Sequence, residues 1–215
     1  EWLPQLSASL LSLVQAPLDA DAPNPCRLAD ITRSARLDEL DFDFPVHPEG
    51  SSFSVKDLAR IFETHRNPNL PRDYPDHLGQ LSFAPLRGFM TGSIDLVLTH
   101  NQQFFLADYK SNHLGNFPKD YREPALVEVM THHHYFLQYH IYSVAMHRYL
   151  QWKLGKQYTS RDDYERYFGG AYYLFLRGMN STSSHGVFFD RPPYELIAAL
   201  SEAFSGASVL KKEAC

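Results

Sequence analysis

The sequence predicts a domain of the α/β or α+β class, in which strands and helices are mixed along the chain. Two apolar, β-favouring runs, 92–99 and 103–110, are separated by a few polar residues, the pattern of a β-hairpin. Residues 124–152 contain no glycine and have proline only at the first position, which predicts one long helix. A further strand-like run, 169–178, follows. The chain is therefore expected to combine a sheet with helices.

The N-terminal part is expected to contribute two helices and a strand. Apolar residues recur at helical spacing over 2–14, which predicts the first helix. Residues 36–46 alternate apolar residues with acids, which indicates a strand with one solvated, acidic face. Ser54 and Asp57 have the spacing of a capping box, so a short helix is expected to run from there through Phe62.

The C-terminal part is predicted to end in a helix. Residues 192–204 have a helical pattern, and Gly206 stands where a helix C-cap is expected. We therefore divide the chain into an N-terminal helix with its connecting loop (1–35), a main domain (36–206) and a C-terminal tail (207–215).

The composition is that of a packed globular protein. The 215 residues are 44% hydrophobic and include only two cysteines, Cys26 and Cys215, which argues against a disulfide framework and suits a reducing cytoplasm. No stretch approaches the roughly 20 apolar residues that a membrane span needs, and the first residues do not resemble a signal peptide. We therefore expect a cytoplasmic location. Because the chain begins at Glu1 rather than Met, we expect a piece of a longer protein.

The acidic excess is concentrated at the N-terminus. Residues 1–60 hold 10 acidic and 5 basic residues, whereas residues 61–215 hold 15 of each, which together give the net charge of −5. A domain that grips nucleic acid through its own surface is usually basic, because neutralisation of phosphates drives the affinity. If this chain acts on DNA, we expect another part of its assembly to hold the DNA.

Asp95, Asp108 and Lys110 form the strongest candidate site. If the hairpin loop is 100–103, Asp95 lies opposite Asp108, and strand alternation places Asp108 and Lys110 on one face, with the Tyr109 side chain on the other. Both acids interrupt apolar strands, and buried carboxylates need a partner. Two close carboxylates repel unless a cation neutralises them, and such hard oxygen ligands suit Mg²⁺. An isolated D-x-K tripeptide is more often a set of surface charges, but the apolar context favours a metal site.

Three ordered segments carry a family resemblance: G-S-I-D-L-V (92–97), D-Y-K-S-N-H-L-G (108–115) and Y-F-L-Q-Y-H-I-Y-S-V-A-M-H-R-Y-L (135–150). From about residue 36 through Phe204, the chain resembles the C-terminal nuclease domains of RecB, the beta subunits of exodeoxyribonuclease V (RecBCD). The resemblance implies the restriction-endonuclease-like PD-(D/E)XK fold, an α/β fold with a mixed central sheet flanked by helices. It also implies Mg²⁺-dependent cleavage of DNA.

The resemblance assigns roles to the motif residues. Asp95 matches the metal-binding aspartate of the G-x-x-D motif. Asp108 and Lys110 match the (D/E)-x-K pair, a metal ligand and the catalytic lysine, and the main-chain carbonyl of Tyr109 is implied as a further ligand. Family members also carry a metal-binding histidine in an upstream helix. We expect that residue to lie before Glu1, and we therefore expect this chain alone to be weakly active or inactive.

Gln138 and Tyr142 match the Q-x-x-x-Y motif of the RecB nuclease group. Their i, i+4 spacing independently places both on one helix face, with Tyr135 beside them. There they are expected to contact DNA phosphate or to brace the hairpin. A packing role for Tyr142 is about as common for an aromatic residue at this spacing.

The resemblance further implies partners and leaves two rivals open. The implied partners are single- and double-stranded DNA, the RecC and RecD subunits, upstream RecB helicase domains that use ATP, and RecA, which the domain helps to load during double-strand-break repair. No G-x-x-x-x-G-K loop occurs, so ATP binding is not expected here. One rival is a non-catalytic module of the same fold that docks RecA or a partner subunit. The other is a free-standing nuclease, either an iron–sulfur enzyme, which would need four cysteines, or a phage exonuclease.

Weaker candidates surround these motifs. The consecutive histidines 132–134 point in different directions on a helix, so a polar helix face is favoured over a metal site. His113, three residues past Lys110, is expected to be a loop residue. Three basic residues are candidates for contacts with DNA phosphates: Arg87, Lys119 and Arg122.

Overall fold

A computed structural model of the chain describes residues 2–19, 25–46, 53–82 and 88–205. Within these ranges it combines α-helices with a five-stranded sheet. The sheet is mixed and flanked by helices, which confirms the predicted α/β class and is consistent with a restriction-endonuclease-like fold. In the same ranges, no helix is both long enough and apolar enough to cross a membrane.

The described part of the chain contains seven α-helices and five strands. The helices are α1 (Leu3–Val14), α2 (Val55–Thr64), α3 (Tyr74–Gly79), α4 (Glu123–His132), α5 (Tyr135–Leu154), α6 (Arg161–Tyr167) and α7 (Tyr194–Phe204). The strands are β1 (Arg36–Val46), β2 (Gly88–His100), β3 (Gln103–Lys110), β4 (Phe168–Phe175) and β5 (Val187–Asp190). Neighbouring strands follow the order β1-β2-β3-β4-β5, and the pairs β2/β3 and β4/β5 are antiparallel.

The chain divides into two compact units, each assembled from three segments. The first unit comprises the described residues of 1–40, 94–133 and 169–191, and the second those of 41–93, 134–168 and 192–215. The domain boundaries expected from the sequence, after residues 35 and 206, stay predictions.

The β2/β3 hairpin in the first unit has the predicted form. Its paired residues run from Leu96 opposite Ala107 to His100 opposite Gln103. The two turn residues, Asn101 and Gln102, have φ angles of 49° and 65°. Two successive left-handed residues give a turn whose twist matches that of the flanking strands, which explains why this loop needs only two residues.

The core of the first unit lies against β2, β3 and β4. Its buried members come from the segment after α1, from these strands and from the loop after β4: Ala16, Leu18, Cys26, Leu96, Leu98, Ala107, Tyr172, Leu174 and Met179. Gly169 makes room for the ring of Phe105, since a Cβ at that position would lie 2.2 Å from a ring carbon. Close packing therefore fixes β4 against β3.

The second unit is built around α5, which buries residues on most of its surface. The rings of Phe62, Tyr74 and Phe136 pack edge to face, with centroids 5.8 and 5.2 Å apart. The predicted capping box is present at the start of α2. Ser54 Oγ accepts from the N–H of Asp57, and the Asp57 carboxylate accepts from the N–H of Ser54.

Strand β1 has the predicted bounds but only part of the predicted alternation. Phe44 is buried and Asp43 is exposed, as expected for a strand with one solvated face. Leu37, however, is 52% exposed. Glu39, between Leu37 and Phe44, has a φ of 58°, and this left-handed residue interrupts the regular alternation of faces along β1.

The prediction of one continuous helix over 124–152 is wrong. Helix α4 ends at His132, His134 is left-handed with a φ of 54°, and α5 begins at Tyr135. Neither glycine nor proline marks this break. Because α4 belongs to the first unit and α5 to the second, tertiary packing outweighs the local helix preference.

Other differences concern short elements. The sequence analysis did not predict α3, α6 or β5, and the strand expected over 169–178 ends at Phe175. A capping box at Ser160 and Asp163 opens α6 and was a readable signal. The predicted C-cap at Gly206 and the tail 207–215 lie outside the described residues.

Candidate active site

Asp108 and Lys110 lie together near the end of β3. Asp108 is only 4% exposed, and the Nζ of Lys110 contacts its Oδ1. Tyr109, between them, is 39% exposed. The pleat of β3 thus places the acid and the lysine on one face and the tyrosine ring on the other, as strand alternation predicts.

Asp95 approaches the same motif from β2. Continuing the observed register by one pair from Leu96 and Ala107 places Asp95 opposite Asp108. The Oδ2 atom of Asp95 accepts a hydrogen bond of 2.8 Å from the main-chain N–H of Tyr109. The hairpin therefore brings both carboxylates and the ammonium to neighbouring positions, which is the arrangement that the sequence predicted.

The phenol of Tyr109 lies in an environment that disfavours its anion. Partial burial raises the pKa of Tyr109, and the negative charges of Asp38 and Asp95 raise it further, while Arg36 opposes them. The phenol is therefore neutral at physiological pH. Because the ring also lies on the face of β3 opposite to Asp108, any role of Tyr109 in metal binding falls to its main-chain carbonyl.

The structure also identifies residues near the motif that the sequence analysis did not single out. The carbonyl of Lys110 accepts from the N–H of Leu176, and the Arg177 Nε donates to the Ser111 carbonyl, both at 2.9 Å. The hydroxyl of buried Tyr121 donates to the carbonyl of Asn112. These contacts fix the main chain that follows the lysine.

Another such residue is Tyr173 on β4. The Nζ of Lys110 lies 4.9 Å from the centroid of its ring. The run GGAYYLFLRG predicted the strand, but no local signal indicates which tyrosine meets the lysine.

Gln138 and Tyr142 lie on one face of α5, in the second unit. The Nε2 of Gln138 donates a hydrogen bond of 2.7 Å to the Tyr142 hydroxyl. Tyr142 is 8% exposed, and its ring meets that of Phe42 edge to face at 5.8 Å. Within its own unit, the pair therefore braces α5 against β1. Contact with DNA stays a prediction.

The weaker candidates do not assemble a site among the described residues. His132 and His133 are exposed at the end of α4, where the Nε2 of His133 lies 3.5 Å from the Asn112 amide nitrogen. No group of three or more His, Cys, Asp and Glu side chains suited to a metal ion occurs in the described ranges. His113 is exposed beside Asn116.

The basic candidates have different surroundings. Lys119 and Arg122 are exposed, and the Nε of Arg122 donates to the Lys119 carbonyl at 2.9 Å. Arg87 lies outside the described residues.

Fold and motif together define a protein of the restriction-endonuclease-like α/β class, with an acidic pair and a lysine on a central hairpin. The chain is 41% identical to RecBCD enzyme subunit RecB of Haemophilus influenzae over 82% of its length, and 33% identical to that of Escherichia coli over 97%. It is 37% identical over 93% of its length to the RecB subunit of Mycobacterium tuberculosis. No protein-family model matches. The chain belongs to the RecB family, and it spans 13%, 16% and 19% of the length of these three relatives.

Proposed function

We propose that the chain is a Mg²⁺-dependent DNA nuclease domain that hydrolyses phosphodiester bonds. The observation that carries this proposal is the juxtaposition of Asp95, Asp108 and Lys110 on one hairpin of a RecB-family chain. A buried acid beside a lysine is costly to maintain as a purely structural feature, because both groups lose their hydration. A catalytic role gives a reason for that cost.

The donor set fits a magnesium ion. Asp95 and Asp108 supply carboxylate oxygens from adjacent strands, and Tyr109, the residue after Asp108, supplies a main-chain carbonyl. Hard oxygen ligands are those that Mg²⁺ prefers, and the ion keeps several waters in most protein sites. Bound Mg²⁺ would act as a Lewis acid on the phosphate and lower the pKa of a coordinated water.

Lys110 complements the carboxylates in this proposal. Its ammonium lies beside Asp108, where it is able to orient the attacking water and to stabilise the negative charge that builds on the phosphate. Gln138 and Tyr142 would act as supporting residues, since their mutual hydrogen bond and the contact of Tyr142 with Phe42 brace α5 against β1.

The family relationship supports a wider role. The RecB names of the relatives denote subunits of RecBCD, so we propose that the chain acts with RecC and RecD subunits and with helicase domains of a longer RecB protein. That assembly would serve double-strand-break repair and recombination in the bacterial cytoplasm, with RecA loading as a further role. A balanced charge over residues 61–215 suits a nuclease to which other domains deliver the DNA.

The test compares degradation of linear single-stranded DNA by this chain, by a version extended upstream and by the extended version carrying Asp108→Ala. We expect Mg²⁺-dependent cleavage by the extended protein, little cleavage by the chain alone and none by the Asp108→Ala variant. Equal activity of the first two proteins would contradict the proposed upstream ligand. Retained activity after Asp108→Ala would contradict the proposed site.

One surface of the chain is relevant to the non-catalytic alternative, a module that docks another protein. Helix α1 exposes several large apolar side chains, among them Leu3, Leu10 and Leu11, each more than half exposed. Exposed apolar stripes of this kind are typical of contact surfaces. If all three folded proteins fail to cleave DNA, including within the assembled complex, a module that docks RecA or a partner subunit becomes the better description.

A further inference from the structure

Metal binding at the candidate site would weaken one contact of Lys110, its ion pair with Asp108. Its ammonium contacts Asp108 Oδ1, and Asp108 is one of the two carboxylates proposed to hold Mg²⁺. A cation bound to that carboxylate competes directly with the lysine for the same negative charge. Since the Lys110 side chain is only 11% exposed, little water is available to replace the weakened ion pair.

Tyr173 supplies a further, uncharged partner of the Lys110 ammonium. Its ring centroid lies 4.9 Å from Lys110 Nζ, and the residue is 1% exposed within a strand that is buried throughout. The face of an aromatic ring attracts a cation, and this attraction is strongest where water is excluded. A ring face does not bind Mg²⁺ in competition with carboxylates, so the contact survives when the metal occupies Asp108.

We propose that Tyr173 is a positioning residue that holds the Lys110 ammonium in place while Asp108 binds the metal. This inference rests on the proposed nuclease function and deepens it. Without the ring, the ammonium would lose a contact that Mg²⁺ leaves intact, and it would be held less firmly near the reacting phosphate.

The fold supports this role through the neighbouring strand. The N–H of Leu176 holds the main chain of Lys110 at 2.9 Å, so residues at the end of β4 position both the backbone and the side chain of the lysine. The preceding residue, Tyr172, points to the opposite face, where its ring contacts Phe105 and Phe189. Tyr172 is therefore a matched control, an almost equally buried tyrosine on the same strand without the lysine contact.

The first test follows Lys110 itself by NMR. The chain has seven lysines, so the Hε–Cε signal of Lys110 in lysine-labelled protein is assigned by its absence in Lys110→Met. We expect the ring current of Tyr173 to shift this signal upfield, both without metal and with saturating Mg²⁺. The shift is expected to vanish in Tyr173→Leu and to persist in Tyr173→Phe and Tyr172→Leu. If Mg²⁺ abolishes the upfield shift in the unmodified chain, the ammonium leaves the ring and the proposal is wrong.

The second test measures cleavage in the upstream-extended protein. Tyr173→Leu is expected to lower kcat about tenfold with little change in KM for DNA, and to raise the Mg²⁺ concentration for half-maximal binding measured by calorimetry. Tyr173→Phe should restore both values, and Tyr172→Leu should leave both unchanged if its thermal unfolding shows a folded protein. An equal loss of kcat in Tyr173→Leu and Tyr172→Leu would show that Tyr173 acts only through packing, and the proposal would be wrong.

The two proposals fail in different ways. If Asp108→Ala and Lys110→Met abolish cleavage but Tyr173→Leu does not, the inference fails and the proposed function stands. If the extended protein neither binds Mg²⁺ at this site nor cleaves DNA, the proposed function fails, and the inference falls with it.

Discussion

Asp108 and Lys110 concentrate opposite charges where water is scarce, their side chains being 6% and 11% exposed. Each group depends on the other, since a buried charge without its partner keeps its full desolvation cost. We expect Asp108→Asn to lower the free energy of unfolding by about 3 kcal/mol, because it removes the carboxylate that the buried ammonium contacts. The double variant Asp108→Asn/Lys110→Met, which buries neither charge, should recover most of that loss.

Urea unfolding of both single variants and the double variant measures this coupling. Additive effects would show that the two charges stabilise the fold independently. That result would contradict the interpretation of the contact as an ion pair whose members need each other.

His147 shows how burial changes a residue outside the candidate site. It is 3% exposed on α5, and its Nδ1 lies 2.9 Å from the Tyr158 hydroxyl. Burial, with a smaller contribution from the charge of Arg148, lowers the pKa of His147 from 6.5 to about 4. Between these two values the unfolded chain binds a proton that the folded chain does not, so stability falls as the pH falls.

The expected pH dependence follows from that sign. Above about pH 6.5 His147 should have no effect, and from there down to about pH 4 its contribution should lower the free energy of unfolding by about 3 kcal/mol in all. Urea unfolding at several pH values in this window measures the slope. His147→Gln should flatten it, whereas His132→Gln, at an exposed position, should not. An unchanged slope in His147→Gln would assign the acid sensitivity to other groups.

At the scale of elements, the β2/β3 hairpin positions the two carboxylates through a two-residue turn. Asn101 tolerates the left-handed conformation well, but Gln102, with a φ of 65°, is poorly suited to it. Gln102→Gly creates the Asn-Gly pair that such turns favour. We expect it to raise the free energy of unfolding by about 1 kcal/mol, because the strain at the second turn residue is removed.

Urea unfolding of Gln102→Gly checks this prediction. The variant Gln80→Gly serves as the control for the flexibility that a new glycine adds. Gln80→Gly places a second glycine beside Gly79, at a residue whose φ is −86°, and should destabilise the chain. If Gln102→Gly also destabilises, the positive φ of Gln102 carries no measurable strain.

Helices α4 and α5 mark the limit of prediction from local pattern. The uninterrupted run of helix-compatible residues over 124–152 carries no glycine and no internal proline, so no local rule places a break at His134. The break becomes intelligible only when α4 packs with β5 in one unit and α5 packs with α7 in the other. Contacts distant in sequence decide the conformation of this one residue.

Across the whole molecule, the features predicted correctly from the sequence are those that local pattern and motif determine together. The hairpin, its register and the meeting of Asp108 with Lys110 follow from strand alternation and turn chemistry. The four-residue strand β5 is too short to show a period of its own. The contact of Lys110 with Tyr173 joins residues more than 60 positions apart, which no spacing rule addresses.

The net negative charge of the whole chain is unfavourable for binding DNA. Three exposed acids of β1, Asp38, Asp41 and Asp43, contribute to the net charge of −5. Such a surface neutralises few phosphates, so its affinity for DNA depends little on counterion release. The proposed delivery of DNA by other domains would replace the missing affinity.

We therefore expect the chain alone to bind a labelled oligothymidylate weakly, with a Kd on the order of 10⁻⁴ M at physiological salt, and with a log–log salt slope no steeper than about −3. Fluorescence anisotropy in EDTA, which prevents cleavage, measures both. The variant Asp38→Asn/Asp41→Asn/Asp43→Asn, which raises the net charge from −5 to −2, should bind a few-fold more tightly because it repels the phosphates less. Submicromolar binding with a steep slope would show instead that this chain grips DNA by its own surface, and delivery by other domains would then be unnecessary.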